Sequence, residues 1–274
     1  MDILTLMLIS IPSGLLGAIA GLGGGIVLTP ILVTLGVPIK YAIASSMVAV
    51  IGTSSGSAAA YVRGGLTNLR VAMFLEMFTI AGAVTGAILT VYVPSKPLYF
   101  VFASFLIASL IFMRKRVLTE LPIVKKQDRL SSWLKLGGSY FDEKLGRVVE
   151  YKITNALWGG VGMIFAGIAG GMLGIGAGIF KVSILELIMK MPSKPSSTTS
   201  NFVIGMTALA GAGVYLFSGL IQTYLVAPVI AGMLIGSMLG ARILNKLSSK
   251  TIRIIFVAVL LYSVFLIMYK GLTL

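Results

Sequence analysis

Three kinds of residue in this chain can do chemistry, and each stands where an apolar segment has no need of it. Ser45 and Ser46 lie in one stretch, and Thr199, Ser200 and Asn201 in another. Each lies a few residues beyond Lys40 or Lys194, which puts it roughly 8–10 Å deep along a helix. Hydroxyls and an amide at that depth can replace water around an oxyanion without burying a permanent charge. Singly they are better explained by interhelical or i−4 backbone bonds. Their mirrored placement makes the two readings equal. The glycine clusters Gly21, Gly23, Gly24, Gly25 and Gly174, Gly176, Gly178 are the second kind. Non-helical backbone at membrane depth survives only where it is buried by protein or lines a cavity, and there its N–H groups can hold an anion. One cluster alone reads as close helix packing through small residues; a mirrored pair at helix breaks favours a site.

The third kind is ionisable: Glu76, Lys181 and Glu186. Each costs about 3 kcal/mol at the centre of a membrane helix, so a purpose is expected for it. Lys181 has no basic counterpart in the first half, where Val27 or Leu28 stands. It either selects anions or pairs with Glu76, and Glu76 is the candidate to carry a coupling proton. Glu186, four residues from Lys190, reads as a local ion pair. Gly52 to Gly56 fits the G-x-S-x-G pattern of serine hydrolases, yet no histidine exists to act as base. With no histidine and no cysteine, disulfides, thiol chemistry, haem ligation and the usual zinc sites are excluded. No metal, cofactor or enzymatic activity is expected.

The elements that position these residues repeat. Pro38 to Ala87 lies over Pro192 to Ala241 without a gap, matching Lys40 with Lys194, Ser46 with Ser200, Thr53 with Thr207, Tyr61 with Tyr215 and Gly65 with Gly219. Upstream, GLGGGIV from Gly21 matches GIGAGIF from Gly174 with one residue of slippage. Two copies of a helical unit rocking against each other around a central site are the signature of a secondary transporter. The chain is 57% hydrophobic and 11% charged with mean hydropathy +1.02, a membrane composition. Asp2, in place of a positive n-region, argues against a cleaved secretory signal.

Charge gaps and Gly or Pro punctuation predict five helical segments per half, at about 3–20, 23–37, 40–61, 70–92 and 97–113, then 153–172, 175–190, 196–217, 222–243 and 252–269. The fold class is all-α and polytopic: a first transmembrane repeat over 1–113, a basic connection over 114–152 and a second repeat over 153–274. The uncharged run Ile3 to Ile39 is too short for two full crossings, so a hairpin with a glycine tip inside the membrane is expected in each half.

The positive-inside rule puts the connection, with Arg114, Lys115, Arg116, Lys125, Lys126, Arg129, Lys135, Lys144, Arg147 and Lys152, in the cytoplasm. Threading from it leaves only Lys40, Lys96 and Lys270 outside and Lys181 within the membrane, with both termini outside. Because each unit has an odd number of segments, the repeat is expected to be inverted, with Lys40 and Lys194 on opposite faces as anion-attracting or gating residues. The net charge of +14 then reflects a surface facing anionic lipid, and no nucleic-acid motif accompanies it. Trp133, Tyr140 and Phe141 read as a segment lying on that surface.

The run GLGGGIVLTPILVTLGVP, followed by Ala44 to Ser46, SSGSAAAYVRGG from Ser54 and GAVTGAIL from Gly82, resembles the TauE/SafE family of sulfite and organosulfonate exporters. GIGAGIFKVSILE through SKPSSTTSNF to GSMLGARIL resembles the family's second repeat, departing from it at Ala177, Lys181 and Ser183. The resemblance implies a multi-pass cell-membrane permease that moves small sulfur anions such as sulfite or sulfoacetate, outward and linked to protons. The site expected from the residues is an anion held between Gly23, Gly24, Gly25, Gly176 and Gly178 and the hydroxyl-bearing helix starts, with Lys181 beside it. The alternatives are a permease for another small anion and a membrane scaffold without flux.

Overall fold

The computed structural model describes residues 2–20, 23–115, 127–142, 146–243 and 249–273. Gly21, Arg116, Lys125, Lys126 and Lys144, singled out above, lie outside the described residues. The first half holds α1 (Ile3–Ala20), α2 (Gly25–Thr34), α3 (Ile39–Arg63), α4 (Leu69–Tyr92) and α5 (Ser95–Lys115). A connection follows with a short α6 (Arg129–Trp133) and the antiparallel strands β1 (Gly138–Asp142) and β2 (Arg147–Tyr151). The second half holds α7 (Ala156–Leu173), α8 (Gly178–Ser183), a π-helical turn (Ile184–Ile188), α9 (Ser193–Phe217), α10 (Thr223–Ile243) and α11 (Ser249–Leu272). Among the described residues α3, α4, α7, α9 and α10 are long and apolar enough to cross a bilayer, with shorter apolar helices around them. The protein is an all-α polytopic membrane protein, with a small β-hairpin among the described residues of its connection.

The same local rules start and stop equivalent helices. Pro38 precedes α3 and Pro192 precedes α9, each in extended conformation, and each helix runs for 25 residues. Both end on a left-handed glycine, Gly65 and Gly219, with Leu66 N–H bonded to the Tyr61 carbonyl and Leu220 N–H to the Tyr215 carbonyl. Tyr61 and Tyr215 then reach back to the first helix of their own half, donating to the Ala18 and Gly171 carbonyls. The one-residue slippage between the halves has a physical form. From the glycine cluster to the proline the second half carries one residue more, and it is absorbed by the π-helical turn, where Met189 N–H reaches the Ile184 carbonyl.

Glycines fix the packing and directions. Gly232, Gly236 and Gly240 of α10 abut the carbonyls of Met7, Ile11 and Leu15 of α1 in ascending order, so the two helices run parallel with no room for a Cβ between them. Gly82 and Gly86 of α4 meet Ile164 and Ile168 of α7 in the same way. Close backbone approach through small residues is the main device of helix association in lipid. Gly52 against Ile230 and Gly56 against Ser237 make α3 parallel to α10, and the pairs Asn68–Thr199 and Glu76–Thr207 make α4 parallel to α9. Met47 against Gly211 and Ser54 against Asn201 make α3 and α9 antiparallel. Hence α1, α3 and α10 run one way and α4, α7 and α9 the other.

The connection folds onto the ends of these helices. Leu136, Tyr140 and Ile153 are buried, and Leu136 and Ile153 join a cluster with Val71, Leu75, Met163 and Leu185. Trp133 and Phe141 are exposed, whereas Tyr140, expected beside them on the surface, faces inward because strand alternation puts it on the opposite face from Phe141.

Candidate transport site

The two glycine clusters meet at the centre of the molecule. Gly23 and Gly24 have φ +78° and +75°, and their counterparts Gly176 and Ala177 have +66° and +51°, so the chain leaves α1 and α7 through equivalent left-handed turns. A Cβ on Gly23 would stand 2.9 Å from Ile204 Cγ2 and 3.0 Å from Val50 Cγ1; one on Gly176 would meet the same two atoms at 2.7 and 3.5 Å. At Gly23 and Gly176 glycine is required for conformation and for space together. Gly25, at the start of α2, abuts the Gly174 carbonyl, so the tips touch backbone to backbone. Gly178 opens α8 in the corresponding place. Val50 and Ile204, both fully buried, close the space beneath both tips.

The hydroxyl sets lie on opposite sides of this closure. Ser54 Oγ donates to the Asn201 carbonyl at 2.6 Å, which sets Asn201 level with Ser54 on α3. Ser46 is eight residues back along α3, about 12 Å away. The structure therefore brings the glycine tips together and holds Ser45 and Ser46 apart from Thr199, Ser200 and Asn201. Ser45 and Ser46 are fully buried and their hydroxyls have no partner. On the other side Thr199 Oγ1 accepts from Asn68 N–H (3.0 Å), Ser200 Oγ donates weakly to the Gly178 carbonyl (3.5 Å), and Asn201 Nδ2 donates to the Ala18 carbonyl (3.4 Å) while its Oδ1 is unpartnered.

Two of the ionisable residues, Lys181 of the second half and Glu76 of the first, are joined through Thr207. Lys181, fully buried, donates from Nζ to Thr207 Oγ1 at 2.7 Å. Thr207 Oγ1 lies 3.3 Å from Glu76 Oε1 and 2.6 Å from the Val203 carbonyl, and Glu76 Oε2 has no partner. The equivalent positions carry Leu28, Thr53 and Ile230, and the Thr53 hydroxyl is hydrogen-bonded to the Met233 sulfur at 3.7 Å.

Both terminal lysines are engaged. Lys40 Nζ donates to the Val91 carbonyl at the end of α4 (2.7 Å), and Lys194 pairs with Asp142 of the β-hairpin (2.8 Å). The hairpin side is tied further: Thr198 Oγ1 donates to the Leu66 carbonyl, Asn68 Nδ2 to the Leu136 carbonyl and the Tyr151 hydroxyl, and Arg70 to the Lys135 carbonyl. A cleft of about 320 Å³ lies here, lined by Asn68, Arg70, Ser139 and Tyr151, away from the glycine tips. At the other end Ala44 replaces Thr198, and Ser45, which replaces Thr199, is unbonded. Sequence reasoning missed these ties because the hairpin residues carry no repeat signal.

The sequence matches the family described as "Sulfite exporter TauE/SafE" over residues 6–267. It is 27% identical to the Probable membrane transporter protein YunE of Bacillus subtilis over 99% of both chains. It is likewise 27% identical to YdhB of the same organism, over 87% of this chain and 90% of that one. A probable membrane transporter of Methanocaldococcus jannaschii is 26% identical over 93% and 91%. No solved structure matches.

Proposed function

Because the chain belongs to the TauE/SafE sulfite exporter family and is a membrane transporter, we propose that it exports small sulfur-containing anions, such as sulfite or sulfoacetate, across the cell membrane by alternating access coupled to protons. The observation that carries this reading is the convergence of two equivalent left-handed tips on Val50 and Ile204, with buried polar groups on both sides. The anion passes from one hydroxyl set, past Gly23, Gly24, Gly25, Gly176 and Gly178, to the other. The opposed directions of α1, α3 and α4 relative to α7, α9 and α10 support reading residues 1–113 and 153–274 as inverted copies joined by 114–152. The basic connection then faces the cytoplasm among anionic lipid headgroups, and both termini face out.

Lys181 and Glu76 supply the coupling. Thr207 has one hydroxyl hydrogen, which serves either Val203 or Glu76. With Glu76 charged it turns to the carboxylate; with Glu76 protonated it returns to the Val203 carbonyl. The ammonium of Lys181 is thereby held more or less tightly and is offered to the anion when Glu76 takes up a proton. Lys194 and Lys40 guard the two entrances, and the hairpin ties keep the cytoplasmic entrance shut in this conformation.

Purified protein in proteoliposomes loaded with sulfite, thiosulfate, sulfoacetate, sulfate or taurine tests the reading. Flux of a sulfur anion that accelerates under an imposed pH gradient is expected. Flux of a sulfur-free anion alone would assign a different substrate, and no flux of any solute would favour a scaffold.

A further inference from the structure

We propose that Thr29 and Ser46 form a resting site for the oxyanion on the α2–α3 side of the Val50–Ile204 closure, a subsite that rests on the anion-transport reading above. Gly25 begins α2, and a Cβ there would lie 3.0 Å from Val50 Cγ2, so Gly25 and Val50 mark where α2 and α3 cross. Thr29 is one turn on from Gly25, and Ser46 is one turn back from Val50. The chain turns back between α2 and α3 through residues 35–38, so the pair is antiparallel and these steps lead the same way, to one layer of the interface.

Both residues are fully buried, and neither hydroxyl has a partner. A serine or threonine in a helix can bond its own i−4 carbonyl, as Ser10, Thr79 and Ser183 do in this molecule. Thr29 and Ser46 forgo even that bond. Two fully buried hydroxyls in one layer, both left open, point to an occupant that satisfies them. Its chemistry is anionic: the run Ile3 to Ile39 holds no carboxylate to attract a cation, and the positive end of α2 lies one turn away. A small oxyanion accepts from both hydroxyls at once.

The second half has no such pair. Val182 stands one turn beyond Gly178, in the place of Thr29, and Ser200, in the place of Ser46, is bonded to the Gly178 carbonyl. The two sides of the closure therefore differ: open hydroxyls stand together on one, and on the other the equivalent serine is bonded to backbone. An anion held by hydroxyls alone is held weakly, as suits a place from which it must move on.

The test is thermal unfolding of the detergent-purified full chain against sulfite and sulfoacetate, with Thr29→Val, Thr29→Ser and Ser46→Ala. Removing an unsatisfied buried hydroxyl leaves the ligand-free unfolding temperature unchanged or higher, while the sulfite concentration needed for half the shift rises about tenfold or more. T29S, which keeps the hydroxyl, is expected to respond as the wild type does. A T29V protein with the wild-type sulfite response would overturn the subsite, and so would one that is destabilised without change in that response. A wild-type protein unmoved by any sulfur anion would instead overturn the anion reading itself.

Discussion

Val50 and Ile204 hold equivalent places in the two halves and share both glycine tips: each lies against Gly23 and against Gly176. The tips are thus not independent. Substituting Gly23 by Ala forces a left-handed residue to carry a Cβ and sets that Cβ 2.9 Å from Ile204 Cγ2. G23A is expected to lose about 1–2 kcal/mol from the backbone alone, plus a steric part that I204A relieves in the double variant. Unfolding of the four proteins in detergent measures the coupling, and strictly additive losses would separate the tip from the closure.

Lys181→Met should be strongly destabilising, by about 3–5 kcal/mol, because it leaves Glu76 buried without a countercharge. Adding Glu76→Gln should recover most of that loss. If K181M alone is as stable as the wild type and still binds sulfite, the ammonium belongs neither to a pair nor to the site.

Glu76→Gln keeps the size of the side chain and its bond with Thr207 but cannot release a proton. E76Q proteoliposomes are expected to retain anion exchange and to lose acceleration by an imposed pH gradient. Gradient dependence equal to wild type would send the proton elsewhere.

Opposite placement of the halves can be read with two reagents, since the chain has no cysteine of its own. K40C and K194C are expected to label from opposite sides of the membrane with an impermeant maleimide. Labelling of both from one side would refute the inverted arrangement.

The ties at the hairpin end predict a bias in access. Replacing Thr198 and Thr199 by Val removes the bonds to Leu66 and Asn68. A cysteine placed at Asn201 should then label several-fold faster from the hairpin side, and an unchanged rate would show that the ties do not hold the entrance.

Much of this architecture is legible in the sequence because membrane helices announce themselves by charge gaps and the repeat aligns its own landmarks. The matched Pro38 and Pro192, Gly65 and Gly219, and the one-residue slippage all have structural counterparts. The separation of Ser46 from Asn201 is not legible, since it depends on the antiparallel register of α3 and α9, which no local pattern encodes. Thr29 escapes for a related reason. It has no polar mirror, and only its lack of a partner in the folded protein sets it apart. The β-hairpin escapes because two strands of five residues in a basic connection give too short an alternation to stand out.

The clasp of α1 against α10 and of α4 against α7 also bears on how the protein is made. α1 is made before α10, yet the glycines that accept its backbone, Gly232, Gly236 and Gly240, lie far downstream on α10. Until α10 is made, the face of α1 that meets those glycines is without its partner, while α4 finds α7 much sooner. A ribosome that stalls before α10 therefore leaves that face of α1 open, with the helix held by contacts in its own half such as Tyr61 on the Ala18 carbonyl.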